Sequence, residues 1–300
     1  MPTTTRARVR TLRPPAPWPF WPEAVVGDRY EVQELLGRGG LSVVYRARDL
    51  ETERDVALKV LRSAPVGEVH LARFLREARV TARLHHPHVV QVHEAGVHRG
   101  WPFLALELLE GPSLELLLLT ERRLDPRRTL RLLLPVVDAL AHAHGQGVVH
   151  RDVKPGNVLL DAQGRPYLTD FGLALDGSDP RRITWPGQGV GTPAYVAPEQ
   201  RRGEEVDARS DVYALGVTLY ECLTGTVPAA LRPSPPEAGL ERLAPDASAL
   251  LRELVLRCLA HDPAARLADA GQVARVLRAA HGVRPSHGRA RRTSDLRARG

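Results

Sequence analysis

Lysine is nearly missing from this chain. Of 42 basic residues only Lys59 and Lys154 are lysines, which leaves 40 arginines. Cysteine is equally scarce. Cys222 and Cys258 stand alone, too few for a disulfide framework and in keeping with a reducing cytoplasm. No apolar run approaches the ~18–20 residues that span a bilayer. The basic start MPTTTRARVR leads into the proline-rich WPFWPE rather than an apolar core, so no secretory signal is expected. Aromatic residues make up only 5% of the chain, yet Trp18, Phe20 and Trp21 crowd into this one leader.

What is present is an ordinary globular composition. Three hundred residues with 43% hydrophobic and 26% charged content exclude a disordered, collagenous or coiled-coil chain and suit one large domain or two lobes. The formal charge of +7 sits at the ends. Arg6, Arg8, Arg10 and Arg13 face no acid within residues 1–22, and six arginines oppose only Asp295 within 281–300. The middle of the chain is close to neutral. Such tails read as solvated segments rather than a nucleic-acid surface.

An arginine-rich chain that keeps lysine at two places invites attention to those places. Lysine is a compact point charge and guanidinium a broad planar fork, so a tight site against phosphate oxygen is where the two differ most. From Tyr30 the pattern predicts strands in YEVQELLG, SVVYRARDL, DVALKVL, VVQVHEAGV and WPFLALELL. A helix is predicted over 68–84. Beyond residue 110 the character turns helical. A long helix over 126–145 starts at an Asp125 N-cap with Pro126 in the first turn, and Pro135 should bend it. Further helices are expected near 208–224, 246–260 and 268–280. The pattern is a small β-rich lobe followed by a larger α-rich one.

Gly37-Arg38-Gly39-Gly40-Leu41-Ser42 lies between two strands, where glycines bring amides close to phosphate oxygens. It opens no helix and lacks a P-loop lysine, so it is neither Rossmann-like nor Walker-like. It is followed by Val56-Ala57-Leu58-Lys59. The second lysine lies in His150-Arg151-Asp152-Val153-Lys154-Pro155-Gly156-Asn157, with Asp170-Phe171-Gly172 downstream, then Gly191-Thr192-Pro193-Ala194-Tyr195 and Ala197-Pro198-Glu199. In that order these motifs resemble the eukaryotic-type (Hanks-type) serine/threonine protein kinases, and most closely their bacterial branch.

The resemblance implies an α+β bilobal protein kinase fold, with a five-stranded β lobe and one main helix beside a larger helical lobe. It implies a kinase domain over 28–281 (small lobe about 28–110, large lobe about 111–281), between a proline-rich tail 1–27 and a basic tail 282–300. It also implies ATP-dependent phosphorylation of Ser/Thr hydroxyls on protein substrates in signalling, with Mg²⁺, or Mn²⁺, as the metal. The glycine loop, through Gly37, Gly39, Gly40 and Val44, would cover the phosphates. Leu36, Val44, Ala57, Leu106 and Leu159 would wall the adenine, and Glu107 to Leu109 would form the hinge. Lys59 would hold the α- and β-phosphates and pair with Glu77; Glu68 lies on the same helix. Asp152 would take or orient the hydroxyl proton, Lys154 would steady the γ-phosphate, and Asn157 and Asp170 would coordinate the metal. Both lysines then fall on phosphate-contacting positions.

Thr184, beside Arg181 and Arg182, is the expected activating phosphorylation site. Thr192 is a second hydroxyl of that segment, one that in the family more often bonds the catalytic Asp and Lys. Arg266 is expected to form a buried ion pair with Glu199, and His150 to be a buried member of the catalytic loop. Ser42 departs from the third glycine of G-x-G-x-x-G, and residues 228–245 are short where the family has a substrate-docking helix. His85, His86, His88, His142 and His144 lack metal-ligand spacing and read as surface or capping residues. Two other readings are a catalytically silent ATP-binding scaffold and a small-molecule phosphotransferase. The first would have lost a metal ligand or Asp152, and the second is opposed by the G-T-P-A-Y and A-P-E segments. A cytoplasmic location is expected, nucleic-acid binding is not, and a homodimer stays open.

Overall fold

The structure, a computed structural model, describes residues 22–39, 42–61, 68–171, 193–228, 240–241 and 244–282. The aromatic leader through Trp21, Gly40, Gly172, Ser178, Thr184, Thr192 and the tail from residue 283 lie outside them, as do the side chains of Glu68 and Glu77. The chain divides into two compact units. One comprises the residues up to Ala82 together with Val92–Leu108, the other Arg83–Gln91 and the residues from Leu109 onward.

The first unit is an antiparallel sheet of six strands in the order β1-β2-β3-β4-β6-β5. Its strands are β1 (Val25–Val26), β2 (Tyr30–Arg38), β3 (Ser42–Asp49), β4 (Arg54–Leu61), β5 (Val92–His98) and β6 (Trp101–Glu107). Five strands were expected from the sequence. The sixth, β1, pairs Val25 with Glu31 and Val26 with Tyr30, and two residues are too few to show alternation. Alternation along β3 and β4 sets their faces. On β3 and β4, Val43, Tyr45, Ala47, Val56, Leu58 and Val60 are buried on one side, which leaves Val44, Ala57 and Lys59 half-buried on the other. Phe103 packs edge-on against Tyr30 at 5.9 Å. At the sheet end Arg29 forks onto Asp49 with two 2.7 Å bonds. Those bonds hold the Asp49 carboxyl well below its ordinary range despite the opposing cost of burial. Helix α1 (Glu68–Ala82) belongs to this unit and buries Phe74 and Ala78, one turn apart.

The second unit is helical around one small hairpin. It contains α2 (Leu114–Glu121), α3 (Pro126–Gly145), β7 (Val158–Leu160) paired with β8 (Pro166–Leu168), α4 (Pro198–Arg202), α5 (Ala208–Thr224), α6 (Ala249–Cys258) and α7 (Ala270–Gly282). Asp125 caps α3 as its sequence predicts, accepting from the Arg128 amide at 3.0 Å, and the helix runs on through Pro135. Helix α5 is the centre. Fourteen of its 17 residues are buried, as expected of a helix surrounded by protein on all sides. Gly216 makes this possible, because a Cβ there would lie 2.6 Å from that of Cys258 on α6. Cys222 and Cys258 are core residues, and burial pushes the Cys258 thiol up to about 12. Helix α2 and the hairpin have no counterpart among the predicted elements. The LELLLLTE run shows no clear helical stripe, and only Leu114 and Leu118 on it are buried.

Residues 83–91 are tied to the hairpin. The Val90 amide donates to Leu168 O at 3.0 Å and the Leu168 amide to His88 O at 2.8 Å. Three imidazoles gather here, His86 lying 5.4 Å from His142 and 5.9 Å from His88 between ring centres. Among the described residues no group of three or more His, Cys, Asp or Glu is placed to hold a metal. Burial first, then His142 and His88, lowers the His86 pKa from its ordinary 6.5, with Asp138 opposing. A group so depressed contributes stability above the unfolded value near 6.5 and loses it as pH falls through the lower folded value. The melting temperature should therefore fall below about pH 6.5, and His86→Gln should flatten that fall. An unchanged slope in the variant would contradict the assignment.

Candidate active site

The half-buried face of the first unit's sheet carries several expected ligand residues. Lys59 on β4 stands opposite Val44 on β3 and Leu104 on β6, and Ala57 opposite Leu106. The sheet register thus places Val44, Ala57, Lys59 and Leu106 on adjoining strands. Leu36 falls in the register shift between Leu35 and Gly37, where it is unpaired across strands and exposed. Gly39 closes the strand turn by donating to Ser42 O at 2.8 Å. Glu107 ends β6, and Glu77 lies on α1. Leu109 begins the other unit, and Leu159 is half-buried on β7.

In the second unit the residues from His150 to Asn157 are knotted together. Asp152 Oδ2 accepts from Lys154 Nζ at 2.6 Å and from Asn157 Nδ2 at 2.9 Å. The same Asn157 amide group donates to Asp152 O at 2.7 Å. Carboxylate, ammonium and carboxamide are thereby fixed on one another, and Asn157 is itself buried. His150 is fully buried, its Nε2 donating to Thr169 O at 2.8 Å and its ring 4.5 Å from that of Phe171. This seats Phe171 in the core beside the loop. Asp170, between them, adopts a left-handed φ of 67°, a strained state for a residue with a Cβ.

Asp211 was not singled out in the sequence. It is buried in the first turn of α5 and accepts from the His150 and Arg151 amides at 2.7 Å each. His144 completes the set. Its Nδ1 accepts from the Ala270 amide at 3.2 Å, so Nε2 carries the proton and donates to Asp211 Oδ2 at 2.9 Å. The signal that could have found Asp211 is a carboxylate directly before the apolar run from Val212 to Val217, since a buried charge requires donors.

Glu199 and Arg266 form the expected buried pair, with bonds of 2.7 and 2.9 Å. Burial raises the cost of the Glu199 charge, but the bonds from Arg266 and Ser210 outweigh it and its pKa lies below the ordinary range. Tyr195 donates to Glu221, whose pKa is raised by burial.

A strand–glycine turn–strand carrying a lysine, and an Asp–Lys–Asn cluster tied to a buried helix, are the two halves of a protein-kinase-class fold. The chain belongs to the protein kinase family, the family model for the protein kinase domain matching residues 30–277. It is 37% identical over 279 residues to the serine/threonine-protein kinase PknB of Mycobacterium tuberculosis, covering 87% of this chain and 44% of the relative. It is 42% identical over 258 residues to PknL of the same species, covering 82% of this chain and 64% of that one. A probable serine/threonine-protein kinase of Streptomyces coelicolor, SCO3848, is 37% identical over 267 residues, or 83% of this chain and 39% of that protein. The chain thus spans less than half the length of the PknB relatives it matches. Among the described residues no helix is long and apolar enough to cross a membrane.

Proposed function

We propose that this chain is a serine/threonine protein kinase that transfers the γ-phosphate of ATP to hydroxyls of protein substrates in the cytoplasm. The observation that carries the reading is the Asp152 carboxylate held jointly by Lys154 and Asn157. Phosphoryl transfer asks the protein mainly for position and charge neutralisation. Asp152 would orient the acceptor hydroxyl and take its proton. Lys154, already fixed on Asp152, would stand where the γ-phosphate passes. Lys59 would pair with Glu77 and hold the α- and β-phosphates, and the amides of Gly37, Gly39 and Gly40 would cover them. Leu36, Val44, Ala57, Leu106 and Leu159 would take the adenine, with backbone bonds from Glu107 to Leu109.

The donor chemistry fits a hard divalent cation. Asn157 spends its amide nitrogen on Asp152, so its oxygen is the end left to bind a metal, and Asp170 offers a carboxylate. Mg²⁺ held there would neutralise charge on the phosphates. Four polar residues that phosphoryl transfer requires, Lys59, Asp152, Asn157 and Asp170, are all present, which favours an active enzyme over a silent scaffold.

Thr184, with Arg181 and Arg182 beside it, would be the principal autophosphorylation site, and Thr192 a second hydroxyl of that segment. Incubation with radiolabelled ATP, Mg²⁺ and a generic protein acceptor tests the proposal. Label should pass to the acceptor with the unaltered chain and not with Asp170→Asn. Peptide mapping of the same mixture should find phosphate on Thr184; phosphate confined to Ser178 or to Thr293 and Ser294 would refute that site. Equal labelling by both proteins would refute the catalytic reading.

A further inference from the structure

Arg151 has a φ of 69°, a left-handed conformation that costs a residue with a Cβ on the order of 1–2 kcal/mol. Something must hold it. The Arg151 amide donates to Asp211 Oδ1 at 2.7 Å. Its carbonyl accepts from Gln200 Nε2 at 2.9 Å, and the amide of Asp152, on the same peptide plane, donates to His150 Nδ1 at 3.2 Å. Both edges of the Arg151–Asp152 peptide are therefore pinned. The orientation of the Gln200 carboxamide follows from its partners, because its Oε1 accepts from the Ala197 amide at 3.3 Å while its Nε2 meets a carbonyl.

We propose that Gln200, on the five-residue helix α4, is a positioning residue for Asp152, holding the peptide plane from which the Asp152 side chain departs. This rests on the kinase reading and extends it to a residue that touches neither ATP nor acceptor. A turn of that plane swings the Asp152 Cβ, and with it the carboxylate shared by Lys154 and Asn157. From within the buried core His150 holds the amide edge of that plane, and Asp211 holds the amide of the peptide before it. Gln200 holds the carbonyl edge from a separate stretch of chain, five residues beyond Tyr195. A neutral carboxamide suits the place, since it can accept from Ala197 at one end and donate to Arg151 at the other.

The test is Gln200→Glu beside Gln200→Ala. The first keeps the length and the acceptor for Ala197 but turns a carboxylate oxygen toward the Arg151 carbonyl. A positioning role predicts that Gln200→Glu lowers kcat about tenfold, as the loss of one neutral hydrogen bond would. KM for ATP should not change, the melting temperature should fall by no more than about 2–4 °C, and Gln200→Ala should lose at least as much kcat. Amide exchange in peptides covering 150–157 should quicken in both variants. If kcat of Gln200→Glu stays within about twofold of the unaltered chain, or falls only in step with the melting temperature, the proposal is overturned. An unaltered chain that transfers no phosphate would sink the kinase reading instead. The exchange comparison would then still decide whether Gln200 holds the loop, and unchanged exchange would overturn the contact on its own.

Discussion

Arg266→Ala is expected to lower folding stability by about 3–5 kcal/mol, the usual cost of leaving one partner of a buried ion pair alone. For a domain of this size that is a fall of roughly 10 °C in melting temperature. The geometry explains why so much rests on one side chain. All five N–H groups of the guanidinium are used. Nε donates to Ala260 O at 2.7 Å, Nη1 to Glu199 Oε1 and Arg209 O at 2.7 and 3.0 Å, and Nη2 to Glu199 Oε2 and His261 O at 2.9 and 3.1 Å. The Tyr213 ring lies 5.0 Å from the guanidinium carbon, adding a cation–π contact. Lysine has three donors and no planar fork, so Arg266→Lys should recover only part of the loss. Thermal unfolding of both variants measures this. A melting temperature unchanged in Arg266→Ala would contradict the account of the pair.

Lys59→Arg is expected to lower kcat on the order of a hundredfold, the scale of removing one well-placed charge-stabilising donor, while folding survives. The charge is kept; its shape is not. Lys59 is half-buried on β4, between Val44 and Leu104 on the flanking strands, where a broad fork cannot occupy the volume of a point ammonium. In a chain that otherwise writes arginine, this variant asks directly why lysine was kept. Steady-state transfer to a generic acceptor, with circular dichroism to verify folding, gives the answer. Near-unaltered kcat would mean that charge alone suffices there.

Much of this protein could be read from its residues. Apolar alternation marked β3 and β4 as strands, and Asp125 with Pro126 marked the start of α3 because capping is a local matter. The Glu199–Arg266 pair could be foreseen only through the family resemblance, since its partners lie 67 residues apart. Elements whose signal is not local went unread. β1 is two residues long and exists because β2 offers it an edge. Helix α2 begins at Ser113, whose hydroxyl accepts from the Leu116 amide at 3.1 Å, but its leucines cover every side and hide the period. Asp211, His144 and Gln200 matter through what they touch, and those contacts join residues 49 or more positions apart. Spacing along the chain carries no record of them.

The central claim is that Asp152, held by Lys154 and Asn157, directs phosphate onto serine and threonine hydroxyls. The most direct measurement is phosphoamino-acid analysis after incubation with radiolabelled ATP and Mg²⁺, comparing the unaltered chain with Asp152→Asn at matched folding. Asparagine keeps the shape and an acceptor oxygen but gives up the charge that Lys154 is bonded to. The account predicts phosphoserine and phosphothreonine from the unaltered chain, with a loss of at least about a hundredfold in the variant. Equal labelling by the two proteins, or label on tyrosine alone, would contradict it.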